Sequence, residues 1–306
     1  MLQITQPLTL NDLPAPPPGK IGWPWTEQSE PVGDQMPDGS EYPRISIVTP
    51  SYNQGQFIEE TIRSILLQGY PNLEYIVIDG GSTDNSIDII RKYEPWITYW
   101  VSETDQGQSD AINKGFFIST GKIMGWINSD DLLVKDALIS LAKAYIPGLH
   151  WWYGNSLHIL PDKTLESYPL PKKEVSRRDL LHARVIISQV STFWTRELWE
   201  KTGSVLSQYH MAMDYELWLR FSEYGPAKIL VTFLGMYRTH DNAKTGTKLG
   251  RELYFKECDQ IRLQEYKKRN CHYLWRLITI TFWTRYRLTK NHGWRSWIGR
   301  RQIPYI

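Results

Sequence analysis

Four consecutive polar residues, Asn128-Ser129-Asp130-Asp131, directly follow the apolar run Ile123-Met124-Gly125-Trp126-Ile127. That order sets two adjacent carboxylates at the end of a buried strand, so hard oxygen ligands emerge where the chain leaves a sheet. A divalent cation such as Mg²⁺ or Mn²⁺ suits such a place, because these ions use one or two protein carboxylates and complete their shell with water and phosphate oxygens. A metal held this way can bring a diphosphate with it. The competing reading of an isolated Asp-Asp pair is a polar turn with an Asx cap, and the neighbouring segments decide between the two.

Those segments are strands alternating with helices. Ile45-Ser46-Ile47-Val48-Thr49-Pro50 is a short β-branched run ended by Pro, which predicts a buried strand. A helix over roughly Gln56 to Gln68 follows, with Ile58, Ile62, Ile65 and Leu66 on one face. Glu74 to Asp79 predicts a second strand, Gly80-Gly81-Ser82-Thr83-Asp84 a turn, and Ile87, Ile89 and Ile90 the helix after it. A third unit runs from the strand Ile97 to Val101 into a helix near Ser109 to Ser119, and a fourth strand, Lys122 to Ile127, reaches the Asp pair. This alternation implies a parallel sheet with helices on both faces, and ligands of such sheets sit beyond the carboxyl ends of the strands. Three loops therefore converge on one crevice: Pro50-Ser51-Tyr52-Asn53, Asp79 with Asp84, and Asp130 with Asp131. An aromatic ring and a carboxylate at neighbouring strand ends can stack on a base and accept from its N–H groups, while the last pair holds the metal.

The second half is less regular. Leu149 to Ile159, Val190 to Thr195 and Lys228 to Tyr237 read as strands, Met211 to Glu223 as a helix burying Leu217, Trp218 and Phe221, and two helices are expected from Leu249 onward.

With these pieces in order, the chain resembles the family 2 glycosyltransferases, the large inverting group with the GT-A fold. The resemblance covers about Arg44 to Asn242 and rests on Thr49-Pro50-Ser51-Tyr52-Asn53, Asp79 to Asp84, Asp105 to Gly115, Trp126 to Asp131, and Met213-Asp214-Tyr215-Glu216-Leu217-Trp218-Leu219-Arg220. It implies an α/β GT-A domain, Rossmann-like, with a mainly parallel sheet and additional C-terminal helices. By the same resemblance Pro50, Tyr52, Asn53 and Asp79 hold the nucleotide base and ribose, with Asp84 a weaker candidate, and Asp110 and Asn113 lie near the nucleotide. Asn128-Ser129-Asp130 occupies the family's Asp-x-Asp motif, which makes Asp130 the metal ligand and Asp131 a supporting or sugar-facing carboxylate on the nucleotide side. Asp214 matches the Asp of the family's Glu-Asp pair and is the expected catalytic base. An acceptor hydroxyl is a poor nucleophile at neutral pH, so a positioned carboxylate must take its proton as C1 of the sugar is attacked.

Several positions depart from the family pattern. Asn128 replaces the first Asp of Asp-x-Asp, Gly80 stands where many members have a second Asp, Met213 replaces the usual Glu, and Ile112 stands where many have Arg. The last change requires another cation, or the metal, to neutralise the diphosphate. His240, in Tyr237-Arg238-Thr239-His240-Asp241-Asn242, is a further candidate for the metal, and Gln189 for the acceptor site.

Two other functions compete. A nucleotidyltransferase also uses a nucleotide crevice and a metal, but the loop after the first strand, Ser51 to Gln56, carries no cation. A P-loop is absent, since Gly115 to Lys122 has five residues between its glycines and Ile123 follows the Lys. A non-catalytic sugar-binding protein is the rival from another class, and the retention of both Asp130 and Asp214 argues against it.

Composition bounds the remainder. The 306 residues suffice for one large domain with a smaller appendage. With Cys258 and Cys271 alone, neither a disulfide framework nor a zinc site is indicated. Residues 1–44 hold nine prolines, among them Pro16, Pro17 and Pro18, and form an extended arm whose Gly22-Trp23-Pro24-Trp25 segment is aromatic enough to lie on the body. Residues 45–145 are then the donor-binding half, 146–248 the acceptor-binding half, and 249–306 a helical, basic and aromatic tail. Ten of the 35 Lys and Arg fall in 266–306 without an acid among them, so the other 25 face all 33 acidic groups, a net of −8. Interleaved with Trp275, Phe282, Trp283, Trp294 and Trp297, the tail cations suit an anionic membrane surface. Packing on the domain is the alternative. The acidic body argues against nucleic acid as a partner. No leader or spanning segment is legible, so the expected place is the cytoplasm, with peripheral contact at the inner face of a membrane. The expected reaction is transfer of a sugar from a nucleotide-diphosphate donor, a UDP-sugar, to a hydroxyl of a glycan or lipid-linked saccharide, with Mn²⁺ or Mg²⁺ as cofactor.

Overall fold

The computed structural model describes residues 6–167, 170, 173–182 and 185–268, and the backbone of 301–303. Its first half is four parallel strands: β1 (Ile45–Ser51), β2 (Leu73–Asp79), β3 (Tyr99–Ser102) and β4 (Ile123–Trp126), in the order β3-β2-β1-β4. Every residue of β1, β2 and β4 is buried. That accounts for their continuous β-branched and aromatic composition, since a parallel sheet is covered on both faces. The covering helices include α1 (Ile58–Leu66), α2 (Ser86–Tyr93) and α3 (Gln108–Ile118). Helix α3 lies close on β1 because residue 115 is Gly, where an added Cβ would come within 2.4 Å of the Val48 side chain.

Register is what makes a site of these strand ends. Ser51 pairs with Asp79 and Asp79 with Ser102, so three strands terminate level with one another. Strand β4 pairs Trp126 with Val48, and the Ile127 amide then donates to the Val48 carbonyl at 2.9 Å. Residues 128–131 consequently leave the sheet beside the end of β1, between strands whose crossovers run in opposite directions, which is where open α/β sheets bind ligands.

The second half extends the same sheet with antiparallel strands. After β5 (Leu132–Leu133) and α4 (Ala137–Ala144) come β6 (Trp151–Ile159), β7 (Leu165–Ser167), α5 (Arg177–Leu181), β8 (Thr192–Thr195), α6 (Arg196–Thr202), α7 (Met213–Phe221), β9 (Lys228–Arg238), α8 (Lys248–Lys268) and β10 (Arg301–Ile303). Strand β8 is inserted antiparallel between β4 and β6, β7 and the backbone of β10 continue the edge, and β9 runs parallel to β6 and pairs with β5. The architecture is a mixed α/β sheet, parallel through β3-β2-β1-β4, with the GT-A form that the sequence implied.

Two expectations about the ends meet the structure differently. The arm lies on the body: Trp23 donates its indole N–H to the Leu133 carbonyl at 2.9 Å, and the fully buried Arg63 of α1 donates to the carbonyls of Pro14, Pro24 and Trp25. Of the two helices expected after Leu249, α8 is present and the second falls on 269–300, outside the described residues, together with most of the basic aromatic tail. Among the described residues no helix is long and apolar enough to cross a membrane.

Candidate active site

At the end of β2, Asp79 is fully buried and its carboxylate is shared among four donors of its own neighbourhood. The amides of Gly81 and Ser82 reach Oδ2 at 3.2 and 2.8 Å, Ser102 Oγ reaches Oδ2 at 2.7 Å, and Ser82 Oγ reaches Oδ1 at 2.6 Å. Residue 80 is Gly for a steric reason, because a Cβ there would stand 2.8 Å from an Asp105 carboxylate oxygen. The β1 loop is tied to this turn: Ser82 Oγ accepts from the Asn53 amide at 2.7 Å, and Asn53 Oδ1 accepts from the Thr83 amide at 2.8 Å, with Asn53 at a φ of 51°. Desolvation raises the pKa of Asp84, but hydrogen bonds from the Ser86 side chain and from the amides of Gly55 and Ser86 outweigh it and hold the carboxyl below the usual value. Pro50 is buried, whereas the Tyr52 ring stands 61% exposed over the strand ends.

On α3 the two sequence candidates are engaged with protein. Asp110 accepts from the Gln106 amide at 3.1 Å and pairs with Lys114 at 3.3 Å. Asn113 clamps a distant loop with both ends of its amide, donating to the Val205 carbonyl at 2.8 Å and accepting from the Val205 amide at 2.9 Å.

The loop after β4 is held from all sides. Thr61 of α1 donates to the carbonyls of both Ser129 and Asp131, and the Arg238 guanidinium donates to the Asp130 carbonyl at 3.1 Å and pairs with Glu60 at 2.9 Å. Asn128 sits in an amide relay, accepting from Gln108 at 2.6 Å and donating to Asp131 at 3.0 Å and Gln189 at 3.2 Å, while Gln189 donates to the Trp126 carbonyl at 2.7 Å. Gln189 thus supports the loop through its side chain. Asp131 turns inward, 6% exposed, with one oxygen on the Arg238 amide at 3.0 Å and the other on Asn128. Burial and the adjacent Asp130 carboxylate push its pKa well above the ordinary range, against the pull of those hydrogen bonds.

Asp130 points the other way and meets His240, whose Nε2 lies 2.9 Å from Oδ2. His240 is set by the end of β9 and by Phe57, whose ring centroid is 4.5 Å from the imidazole. Among the described residues no group of three or more His, Cys, Asp or Glu side chains is arranged to hold a metal ion. One carboxylate and one imidazole facing each other nevertheless fit an ion of the Mg²⁺ or Mn²⁺ type, which completes its shell with water and phosphate oxygens.

Asp214 opens helix α7. The one hydrogen bond recorded for its carboxylate comes from the next residue, the Tyr215 amide at 2.7 Å. Burial raises its pKa to about 6, with the Tyr215 amide and Lys244 acting against that shift and Glu257 adding to it. A carboxylate with a pKa near neutrality takes a proton far better than one at 4, and still carries charge at pH 7. The other carboxylate in this turn, Glu216, is bound by Arg220 through both oxygens at 2.9 and 3.0 Å.

Three features position Asp214 that sequence reasoning missed. Glu257 of α8 holds the segment that leads into α7, accepting from the amides of His210, Met211 and Ala212 at 3.2, 2.8 and 2.8 Å. Trp218, one turn along the same face as Asp214, stacks between Trp126 at 5.9 Å and Trp151 at 5.7 Å, which ties α7 to the strand that delivers Asn128 to Asp131. Lys244 holds the His210 carbonyl at 3.0 Å, and its charge is stabilised by Glu257, Asp214 and Asp130, although desolvation dominates and lowers its pKa. One ammonium therefore senses the carboxylates of both halves of the crevice. Only the indole-rich composition gave a sequence signal for the Trp stack; Glu257 and Lys244 had none.

This geometry has relatives. A family model described as Glycosyl transferase family 2 matches residues 46–166. Over 184 residues the chain is 28% identical to an uncharacterized glycosyltransferase of Mycobacterium tuberculosis, a match covering 58% of this chain and 68% of that protein. It is 29% identical over 193 residues to a chondroitin synthase of Pasteurella multocida, covering 61% of this chain and 20% of the synthase. Among solved structures it is similar to S. aureus TarS 1-349 in complex with UDP, with a TM-score of 0.51, 18% identity, and coverage of 72% of this chain and 69% of that one. It is likewise similar to the mannosyltransferase PcManGT from Pyrobaculum calidifontis in complex with GDP-Man and Mn²⁺, with a TM-score of 0.55, 19% identity, and coverage of 76% and 67%. The structural likenesses establish the GT-A fold, and residues 46–166 carry the domain described as Glycosyl transferase family 2, in line with the glycosyltransferases to which the chain is similar in sequence.

Proposed function

We propose that the chain transfers a sugar from a nucleoside-diphosphate donor, a UDP-sugar, to a hydroxyl of a growing glycan or lipid-linked saccharide, with inversion at C1. The observation that carries this reading is Asp214, a desolvated carboxylate with a pKa near 6, placed where Lys244 senses it together with Asp130 at the mouth of the parallel strands. Asp214 takes the proton from the acceptor hydroxyl as its oxygen attacks C1 from the side opposite the leaving group. The exposed Tyr52 ring stacks on the base, with Pro50, Asn53 and Asp79 shaping the turn beneath it. Asp110, Asn113 and Asp131, all engaged with protein groups, hold the walls of the nucleotide site. Asp130 and His240 would hold Mn²⁺ or Mg²⁺, which when bound supplies Lewis-acid stabilisation of the departing diphosphate. PcManGT carries Mn²⁺ and GDP-Man, and TarS carries UDP, which supports a metal and a nucleotide here. Chondroitin synthase, by its name, supports a saccharide acceptor. A cytoplasmic location with peripheral membrane contact rests on the composition of the tail alone.

The test is a melting-temperature screen of nucleotide-sugars with and without Mn²⁺. A ligand selective for the folded state raises apparent stability by RT ln(1+[L]/Kd), about 2.7 kcal/mol at a hundredfold excess over Kd. UDP-sugars should stabilise in a Mn²⁺-dependent way, and the anomeric configuration of the transferred product should be opposite to that of the donor. No shift with any nucleotide, or a product of retained configuration, would contradict the reading.

A further inference from the structure

Ile112 of helix α3 is apolar and fully buried. The cations around the crevice are for the most part committed elsewhere. Lys114 pairs with Glu103 at 3.0 Å and Asp110 at 3.3 Å, Arg238 with Glu60 at 2.9 Å, and Arg220 with Glu216 at 2.8 Å and the carbonyls of residues 202–204. Lys244 differs among the described residues of the site: no carboxylate lies within ion-pair distance of it, and its Nζ holds a single neutral acceptor, the His210 carbonyl at 3.0 Å. Its electrostatic neighbours are nevertheless Glu257, Asp214 and Asp130.

The backbone that carries Lys244 is fixed on both sides. Before it, the Thr239 amide donates to the Ile159 carbonyl at 3.0 Å, and His240 is joined to Asp130. After it, Gly250 allows α8 to begin against the Lys244 carbonyl, which a Cβ at 250 would approach to 1.9 Å. The side chain is long and flexible, so its ammonium can move while its root stays in place. Between the carboxylate proposed for the metal and the one proposed as the base must lie the bond that breaks, joining C1 of the sugar to the diphosphate.

We propose that Lys244 is the cation that binds the donor's diphosphate and neutralises the departing nucleoside diphosphate. The proposal rests on the nucleoside-diphosphate reading above. On donor binding, Nζ exchanges a neutral carbonyl for anionic phosphate oxygens, and a charge-assisted hydrogen bond is roughly twice as strong as a neutral one. During transfer the C1–O bond to the β-phosphate breaks with its electron pair on the phosphate oxygen, the acceptor oxygen bonds C1, and the acceptor proton passes to Asp214. Lys244 gives up no proton and stays cationic throughout.

The experiment compares UDP with uridine, and GDP with guanosine, by calorimetric titration in Mn²⁺ against the unaltered protein, Lys244→Gln and Lys244→Arg. Lys244→Gln should lose tenfold or more of the nucleoside-diphosphate affinity and keep the nucleoside affinity and the melting curve of the unaltered protein. Lys244→Arg should retain most of the diphosphate affinity. Unchanged diphosphate binding by Lys244→Gln would overturn the proposal, as would an equal loss of nucleoside binding or a loss in Lys244→Arg as large as in Lys244→Gln. If the unaltered protein binds neither UDP nor GDP, the nucleotide reading itself falls and the proposal with it.

Discussion

Asp79 in the first half is a fully buried carboxylate and Asp214 in the second a half-buried one, and their surroundings are opposite. Asp79 has four donors, from Gly81, Ser82 twice and Ser102, so its charge is spent on making the β2 turn a single rigid shape. Asp214 has one, the Tyr215 amide, and desolvation raises its pKa to about 6. A carboxylate satisfied by hydrogen bonds stabilises geometry, whereas one left short of them stores basicity. The division follows the halves of the sheet: on the proposed function the parallel half is a preformed cradle for the donor, and the second half keeps the proposed base.

The comparison can be broken in several ways, and the largest expected effect is on activity. Chelation by EDTA should abolish transfer, Mn²⁺ or Mg²⁺ should restore it, and Asp130→Ala should lose metal-dependent UDP binding; full turnover in chelator would remove the metal from the donor side. Next in size is the stability cost of emptying the cradle. Asp79→Ala leaves buried donors unpaired, and the expected loss is about 3–5 kcal/mol in urea unfolding. A loss below about 1 kcal/mol would show that the turn does not depend on this carboxylate.

Asp214 should behave in the opposite sense. Its folded pKa of about 6 lies above the value near 3.9 of an unfolded chain, so the folded state binds the extra proton between the two. The resulting stability is present below about pH 4 and is lost as pH rises through about 6, an order of 1–3 kcal/mol. Lys244, Glu257, Tyr254 and Cys258 are the charged or titratable groups that face it, and of these only Lys244 favours the ionised form. Asp214→Asn should therefore raise the melting temperature at pH 7.5 and flatten its dependence between pH 4 and 7. A melting temperature lowered by this change would place Asp214 in the same class as Asp79.

The sequence made the donor side legible because its signals are local. Runs such as Ile45 to Pro50 and Glu74 to Asp79 are β-branched over their length, as strands covered on both faces must be, and α7 shows its apolar spacing at Leu217, Trp218 and Phe221. Asp130 and Asp214 are candidates through motif resemblance, and the structure sets both within the electrostatic reach of one lysine. What stayed hidden was the tertiary support. Glu257 holds the segment before α7 from 45 to 47 positions away, and Asn113 meets Val205 from 92 positions away, with no periodicity to mark either. The two-residue β5 is too short to show an alternation, and β9 slips register twice against β6. The Asp79 turn is a different case, since an Asp followed three residues later by Ser was open to reading as a self-satisfied Asx turn.

The central claim is that Asp214 is the base of this transferase, and turnover of Asp214→Asn at saturating donor tests it most directly. Asn keeps the shape of Asp and cannot accept the acceptor's proton, so kcat should fall by roughly 10² to 10⁴ while the affinity for UDP in Mn²⁺ stays near that of the unaltered protein. Turnover within a few-fold of the unaltered protein would contradict the account and place the base elsewhere.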